Sequence, residues 1–193
     1  MHVKTRNVKG HFRVSSSPIL VPETLKKHTV QYSNFWTFRP GGQSIGNLVY
    51  VVFPSAGYVN VSGLNDFDVG EYAKQHFINL FEIDGDVSDF IVDSSTASGV
   101  FDVPAEEGTD LSRLLTLMTS SEGERPQYPC TISIRPCYFP SALIRPKSAF
   151  KNTIATCIIF SNGKFVVVGS KSKAQTERTI NNLIPYFQKK ETS

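Results

Sequence analysis

Residues 153–173, TIATCIIFSNGKFVVVGSKSK, decide the fold. Residues 154–160 and 164–168 are rich in β-branched and aromatic side chains, and Ser161-Asn162-Gly163 between them is turn chemistry, so the stretch predicts two strands joined by a tight turn. Gly169 is expected to end the second strand. Residues 174–190 then predict a helix, because Ile180, Leu183, Ile184 and Phe187 recur at spacings of three and four. Pro185 is expected to kink or shorten its last turn.

An earlier stretch repeats this plan. NLVYVVF (47–53) runs into PSAG (54–57), then YVNVSG (58–63), then a helix-like segment over 69–81. There Tyr72, Ala73, His76, Phe77, Leu80 and Phe81 form one stripe. Phe53 matches Phe160 and Gly63 matches Gly169, at offsets of 107 and 106. A period this long is no solenoid repeat and implies a duplicated subdomain.

The chain has 193 residues, enough for one domain or two joined halves with a real core. Its 40% hydrophobic and 19% charged content describe an ordinary globular protein. No apolar run approaches the ~18 residues of a membrane span, and the first residues lack the apolar core of a signal peptide. Cys130, Cys137 and Cys157 are an odd, unclustered trio, which reads as free thiols in a reducing compartment. The scattered His and Cys lack zinc-ligand spacing, so no metal and no cofactor is expected.

The net charge of +3 hides a division. Residues 1–129 hold 10 Lys+Arg against 15 Asp+Glu, a net of −5, while residues 130–193 hold 10 against 2, a net of +8. Charge alone is compatible with an anionic partner for the C-terminal part or with an ordinary solvated surface.

In chain order, residues 1–10 (MHVKTRNVKG) are basic and patternless, the composition of a flexible tail. Residues 11–19 predict a strand, 22–27 a short helix with Pro22 in its first turn, and 30–38 an aromatic strand. Asp84-Gly85-Asp86 marks the boundary between repeats at 11–86 and 87–193. The second half restarts with a strand over 90–103 interrupted by Ser94-Ser95-Thr96, a helix over 106–118, a polar loop over 119–129, and strands over 130–135 and 141–145. Antiparallel strands with two helices per half imply an α+β fold with both helices on one sheet face.

Strand residues alternate faces, so Ile158, Phe160, Val166 and Val168 share one side and Ile159, Phe165 and Val167 the other, under the helices. The first of these sides is apolar and must meet solvent, a second layer or a partner.

Residues 158–171, IIFSNGKFVVVGSK, resemble the hairpin of TATA-box-binding proteins, whose pattern is LIF-x-SGK-x-V-x-TGAK. Residues 89–104, DFIVDSSTASGVFDVP, are similar without a gap to the strand that opens that family's second repeat, and Phe139-Pro140 stands where the family has FPGLIYR. The first half resembles the family more loosely, through Val14-Ser15-Ser16, the Phe53 hairpin and residues 69–81. The likeness spans residues 11–188, and a divergence of this degree resembles that of large DNA viruses and some protists.

What the resemblance implies is a saddle: two pseudo-symmetric repeats in one curved antiparallel sheet, helices on the convex face, double-stranded DNA held by its minor groove against the other. It implies Phe160, Phe139 and Phe53 as wedges between base steps, with Phe35, Trp36 or Phe38 near a fourth. Ile158, Val166, Val168, Val51, Asn60 and Ser62 match groove-facing positions, and Lys164 and Lys171, with Arg145, match phosphate contacts. It implies a transcription initiation factor recruiting a TFIIB-type factor and RNA polymerase, working as a monomer in that complex without a membrane, in the nucleus or, for a viral chain, a cytoplasmic factory.

The departures lie mostly in the first half. The family's paired central asparagines fall on Ser16 and Ser94, and Val168 replaces a threonine. Tyr58 stands where a lysine is expected, no lysine follows Gly63, and Pro18 enters a DNA-facing position. A module of the same fold that has exchanged DNA for a protein partner is the alternative. His2, His11, His28 and His76 all fall in the first half, away from the cysteines, and nothing resembles a P-loop or a paired-carboxylate motif, so an enzyme is not expected.

Overall fold

The computed structural model describes residues 3–16, 18–40, 47–101, 130–135 and 141–187. Two compact units divide these, one of residues 5–95 and one of residues 1–4 with 96–193. In the first unit the strands are β1 (Val3–Arg13), β2 (Thr29–Gln31), β3 (Trp36–Phe38), β4 (Val49–Phe53) and β5 (Tyr58–Leu64), followed by helix α1 (Val69–Leu80). β6 (Ile91–Val100) starts in the first unit and crosses the boundary at residue 96, and the second unit continues with β7 (Cys130–Arg135), β8 (Ser141–Pro146), β9 (Thr156–Phe160), β10 (Lys164–Ser170) and helix α2 (Lys173–Phe187).

The duplication is visible in strand order. It runs β2-β3-β4-β5-β1 in the first unit and β7-β8-β9-β10-β6 in the second, and every pairing whose register is described is antiparallel. The repeat extends to backbone detail: Gly63 and Gly169 both sit inside a strand at positive φ, 88° and 82°. Gly169 therefore does not end β10. At Gly63 a side chain would also strike the carbonyl of Asn47, so left-handed backbone and close approach both require glycine there.

In each unit one sheet face is sealed by its helix. Tyr50, Val52, Val59 and Val61 meet Ala73 and Phe77 of α1, with Phe12, Trp36, Phe38 and Phe81 in the same cluster. This core is aromatic: the rings of Phe77 and Phe81 lie 4.3 Å apart, Trp36 lies 5.0 Å from Phe81, and Phe38 meets Phe81 edge-on at 5.2 Å. The second core is mostly aliphatic, with Cys157, Ile159, Phe165 and Val167 under Ile180 and Leu183. The face assignment from alternation thus holds for Ile159, Phe165 and Val167. Phe90 fills a slot between β1 and α1, its ring occupying the space a side chain on Gly10 or Gly70 would need.

Several expectations need correction. The basic stretch at the start is strand: β1 begins at Val3, Val8 is fully buried and pairs with Leu64, while Lys4, Arg6, Lys9 and Arg13 point to solvent. A charge on every exposed position hid a period-2 strand. The aromatic stretch 30–38 is not one strand but β2 and β3 joined by a turn in which Tyr32 N–H donates to the Phe35 carbonyl at 2.8 Å. Ser94-Ser95-Thr96 does not interrupt β6. Tyr72, expected on the buried stripe of α1, is 61% exposed. The helix expected over 106–118 and the loop over 119–129 lie outside the described residues. Pro185 lies inside α2, which is described as far as Phe187; residues 188–190 of the expected helix lie outside the described residues.

Candidate nucleic-acid interface

The sheet face turned away from each helix, here called the outer face, carries most of the residues singled out by sequence. In the second unit, β9 and β10 pair Val166 with Ile158 and Val168 with Thr156, while β8 sets Leu143 opposite Ile158 and Ser141 opposite Phe160. Because Phe165, Val167 and Ile159 are buried on the helix side, the alternation places Ile158, Phe160, Lys164, Val166 and Val168 outward. Val168 is 39% exposed, and Ile158, Phe160 and Val166 are half-buried. Arg145 and Lys164 are exposed at the ends of this strip. The result is an aliphatic floor with a phenylalanine beside the turn and cations at its ends.

The first unit makes the same frame with other side chains. β4 and β5 pair Val49 with Ser62, Val51 with Asn60, and Phe53 with Tyr58, all half-buried and outward. Phe35 stands beside Phe53 at 5.6 Å, whereas Trp36 and Phe38 are buried in the core. Of the three candidates for the second aromatic of this half, Phe35 is the one on the outer face. β1 adds His11 opposite Asn60 and Arg13 opposite Tyr58. The His11 Nδ1 lies 2.9 Å from the Asp93 carboxylate, its ring lies 4.9 Å from that of Tyr58, and the Arg13 guanidinium lies 5.6 Å over the Tyr58 ring. Burial, with Asp93 adding to it and Arg13 opposing, pushes the Tyr58 phenol up from its ordinary value.

The strands expected over 11–19 and 90–103 contain His11, Arg13 and Asp93, but no motif marked these three residues. Ser16 lies off the sheet: the chain leaves β1 after Arg13, Val14 bridges to Val87, and Ser15 N–H donates to the Asp86 carbonyl at 2.9 Å, leaving Ser16 in an exposed bend. Ser94 is in β6 and half-buried. Lys171 follows β10, exposed, its backbone N–H bonded to Gln175 Oε1 at 2.7 Å at the start of α2. Phe139 lies outside the described residues.

No cluster of His, Cys, Asp or Glu able to hold a metal occurs among the described residues, and no described helix is long and apolar enough to cross a membrane. Cys157 is buried and Cys130 half-buried, both free; burial raises both thiols, Cys130 to about 12, which makes them poor nucleophiles. Cys137 lies outside the described residues.

Residues 115–190 match the family model "Transcription factor TFIID (or TATA-binding protein, TBP)". Among solved structures, the chain is similar to Methanococcus jannaschii TBP, with a TM-score of 0.67 and 16% sequence identity over 97% of this chain and 98% of that one. No curated protein matches it in sequence. The family's sequence pattern thus covers residues 115–190, and over nearly the whole chain the likeness to Methanococcus jannaschii TBP is one of fold.

Proposed function

We propose that this chain is a TATA-binding-like transcription initiation factor that holds and bends promoter DNA by the minor groove, gripping it mainly through the second unit, and brings a TFIIB-type factor and RNA polymerase to it. The observation that carries this reading is the outer face of the second unit. Ile158, Val166 and Val168 make an aliphatic floor, Phe160 stands at its edge beside the turn, and Lys164 and Arg145 are exposed at its ends. The minor-groove floor offers few donors and tolerates apolar contact, and phenylalanine wedged between base steps unstacks them. Lysine and arginine neutralise phosphates with counterion release. In this reading Phe53, Val51, Asn60 and Ser62 extend the contact, and Lys171 and Phe139 complete the phosphate and wedge sets.

Measuring the end-to-end distance of a labelled duplex by energy transfer tests this. The wild-type protein should shorten it, and Phe160→Ala should weaken both bending and affinity with thermal stability nearly unchanged. A large stability loss in Phe160→Ala would mark the ring as core and remove it from the site. The reading of a protein-binding module is favoured by one feature, the Asp93 carboxylate beside His11, which brings negative charge to the outer face of the first unit. That reading expects no duplex binding at all.

A further inference from the structure

The turn between β2 and β3 and the turn that follows β4 line a half-open cleft of ≈ 380 Å³ in the first unit, within the roughly 300–1,000 Å³ range of small-molecule sites. Its wall has two kinds of surface. Tyr32, Phe35 and Phe53 supply rings: Tyr32 and Phe35 stack at 4.5 Å and 17°, and Phe35 meets Phe53 at 5.6 Å. Gln31, Ser33 and Asn34 supply amides and a hydroxyl, and none of these three side chains bonds to another described residue. An aliphatic or phenylalanine side chain from a partner protein would suit the rings but would strip water from the amides and return nothing. A planar heteroaromatic group suits both. Its face stacks on Tyr32, which is 49% exposed, and its polar edge meets Gln31 and Asn34, each able to donate and accept.

The row of rings continues out of the cleft along the outer face. Phe53 meets Tyr58 at 6.2 Å, Tyr58 meets His11 at 4.9 Å, and Arg13 sits 5.6 Å over Tyr58. Successive aromatic surfaces with a cation are how proteins hold single strands, because every base has a π-face. Asp93 on His11 ends the row with a negative charge, so the strand held is short. We infer that the first unit takes an unpaired nucleobase into this pocket, the edge that would pair being read by Gln31 and Asn34, with the neighbouring base along Phe53 and Tyr58. Pairing must be absent for that edge to be free. This goes beyond duplex binding by the second unit and does not depend on it.

The test uses the full chain and a short DNA strand carrying a single 2-aminopurine, whose fluorescence is quenched by stacking. Wild-type protein should quench it. Tyr32→Ala should weaken binding roughly 5- to 150-fold, the equivalent of one lost base stack. Phe35→Leu keeps apolar volume but removes the ring, and should lose quenching while the fold persists. Absent quenching, quenching untouched by both variants, or displacement of the strand by a phenylalanine-bearing peptide would overturn the inference. Duplex bending without strand quenching sinks this inference alone. Variant-sensitive quenching without duplex bending supports it and sinks only the duplex reading.

Discussion

The two units share a backbone and differ in what they set upon it. Phe53 and Phe160 occupy matching places, but Tyr58 stands where the second unit has Lys164, Asn60 where it has Val166, and Ser62 where it has Val168. The first outer face is aromatic and polar with a carboxylate; the second is aliphatic with flanking cations. Duplication fixed the frame, in which strand order and the positive-φ glycines agree, and left the outward positions free to diverge, because they carry little of either core. The inward positions diverged too, toward an aromatic first core and an aliphatic second one, though each stayed sealed by its helix.

The largest expected effect breaks the comparison at the core. Phe77→Ala removes a fully buried ring in contact with Phe12, Trp36, Tyr50 and Phe81 and should cost about 3–5 kcal/mol in chemical denaturation. A cost under ~1 kcal/mol would mean that the aromatic core repacks freely. The glycine pair sharpens it next. Gly169→Ala meets open space and should cost only the left-handed backbone penalty, about 1–2 kcal/mol. Gly63→Ala meets the Asn47 carbonyl as well and should cost more; equal costs would show that the two glycine positions are not held differently.

Smaller effects follow. Ser170 occupies the place of Leu64, is 1% exposed, and its Oγ finds no partner among the described residues. Ser170→Ala should therefore raise the melting temperature, by roughly 1 kcal/mol of stability, and a loss of stability would reveal an unseen partner for the hydroxyl. The smallest effect is a pH dependence confined to the first unit. His76 lies 3.1 Å from the Tyr50 hydroxyl, which donates to the Ala73 carbonyl at 2.8 Å, and burial holds its imidazole below the ordinary 6.5. The unfolded chain then takes up a proton before the folded one. Stability is fully present above the unfolded value and falls as pH drops below it. His76→Gln should flatten that slope in denaturation midpoints; an unchanged slope would locate the titration elsewhere.

The parts legible in sequence are those where periodicity and turn chemistry agree. The 153–173 hairpin, its partner at 47–63, both helices and the inward set Ile159, Phe165, Val167 all follow from spacing alone. Residues 3–10 of β1 were illegible because their exposed positions are basic and their buried positions include Gly10, so charge masked the alternation. His11, Arg13 and Asp93 fell in expected strands but in no motif, and the family's central position was assigned to Ser16, which lies off the sheet beyond the bridge between Val14 and Val87. Which of Phe35, Trp36 and Phe38 faces outward depends on a turn that splits one apparent strand into two, and no period in the sequence reveals that turn.

Salt dependence of duplex affinity tests the central claim most directly, comparing wild type with Lys164→Ala. Log affinity should fall linearly with log salt for the wild type, and the variant should bind all sequences more weakly with a slope shallower by about 1. Binding at background level at every salt concentration, or a slope that Lys164→Ala leaves unchanged, would contradict a second unit that grips DNA.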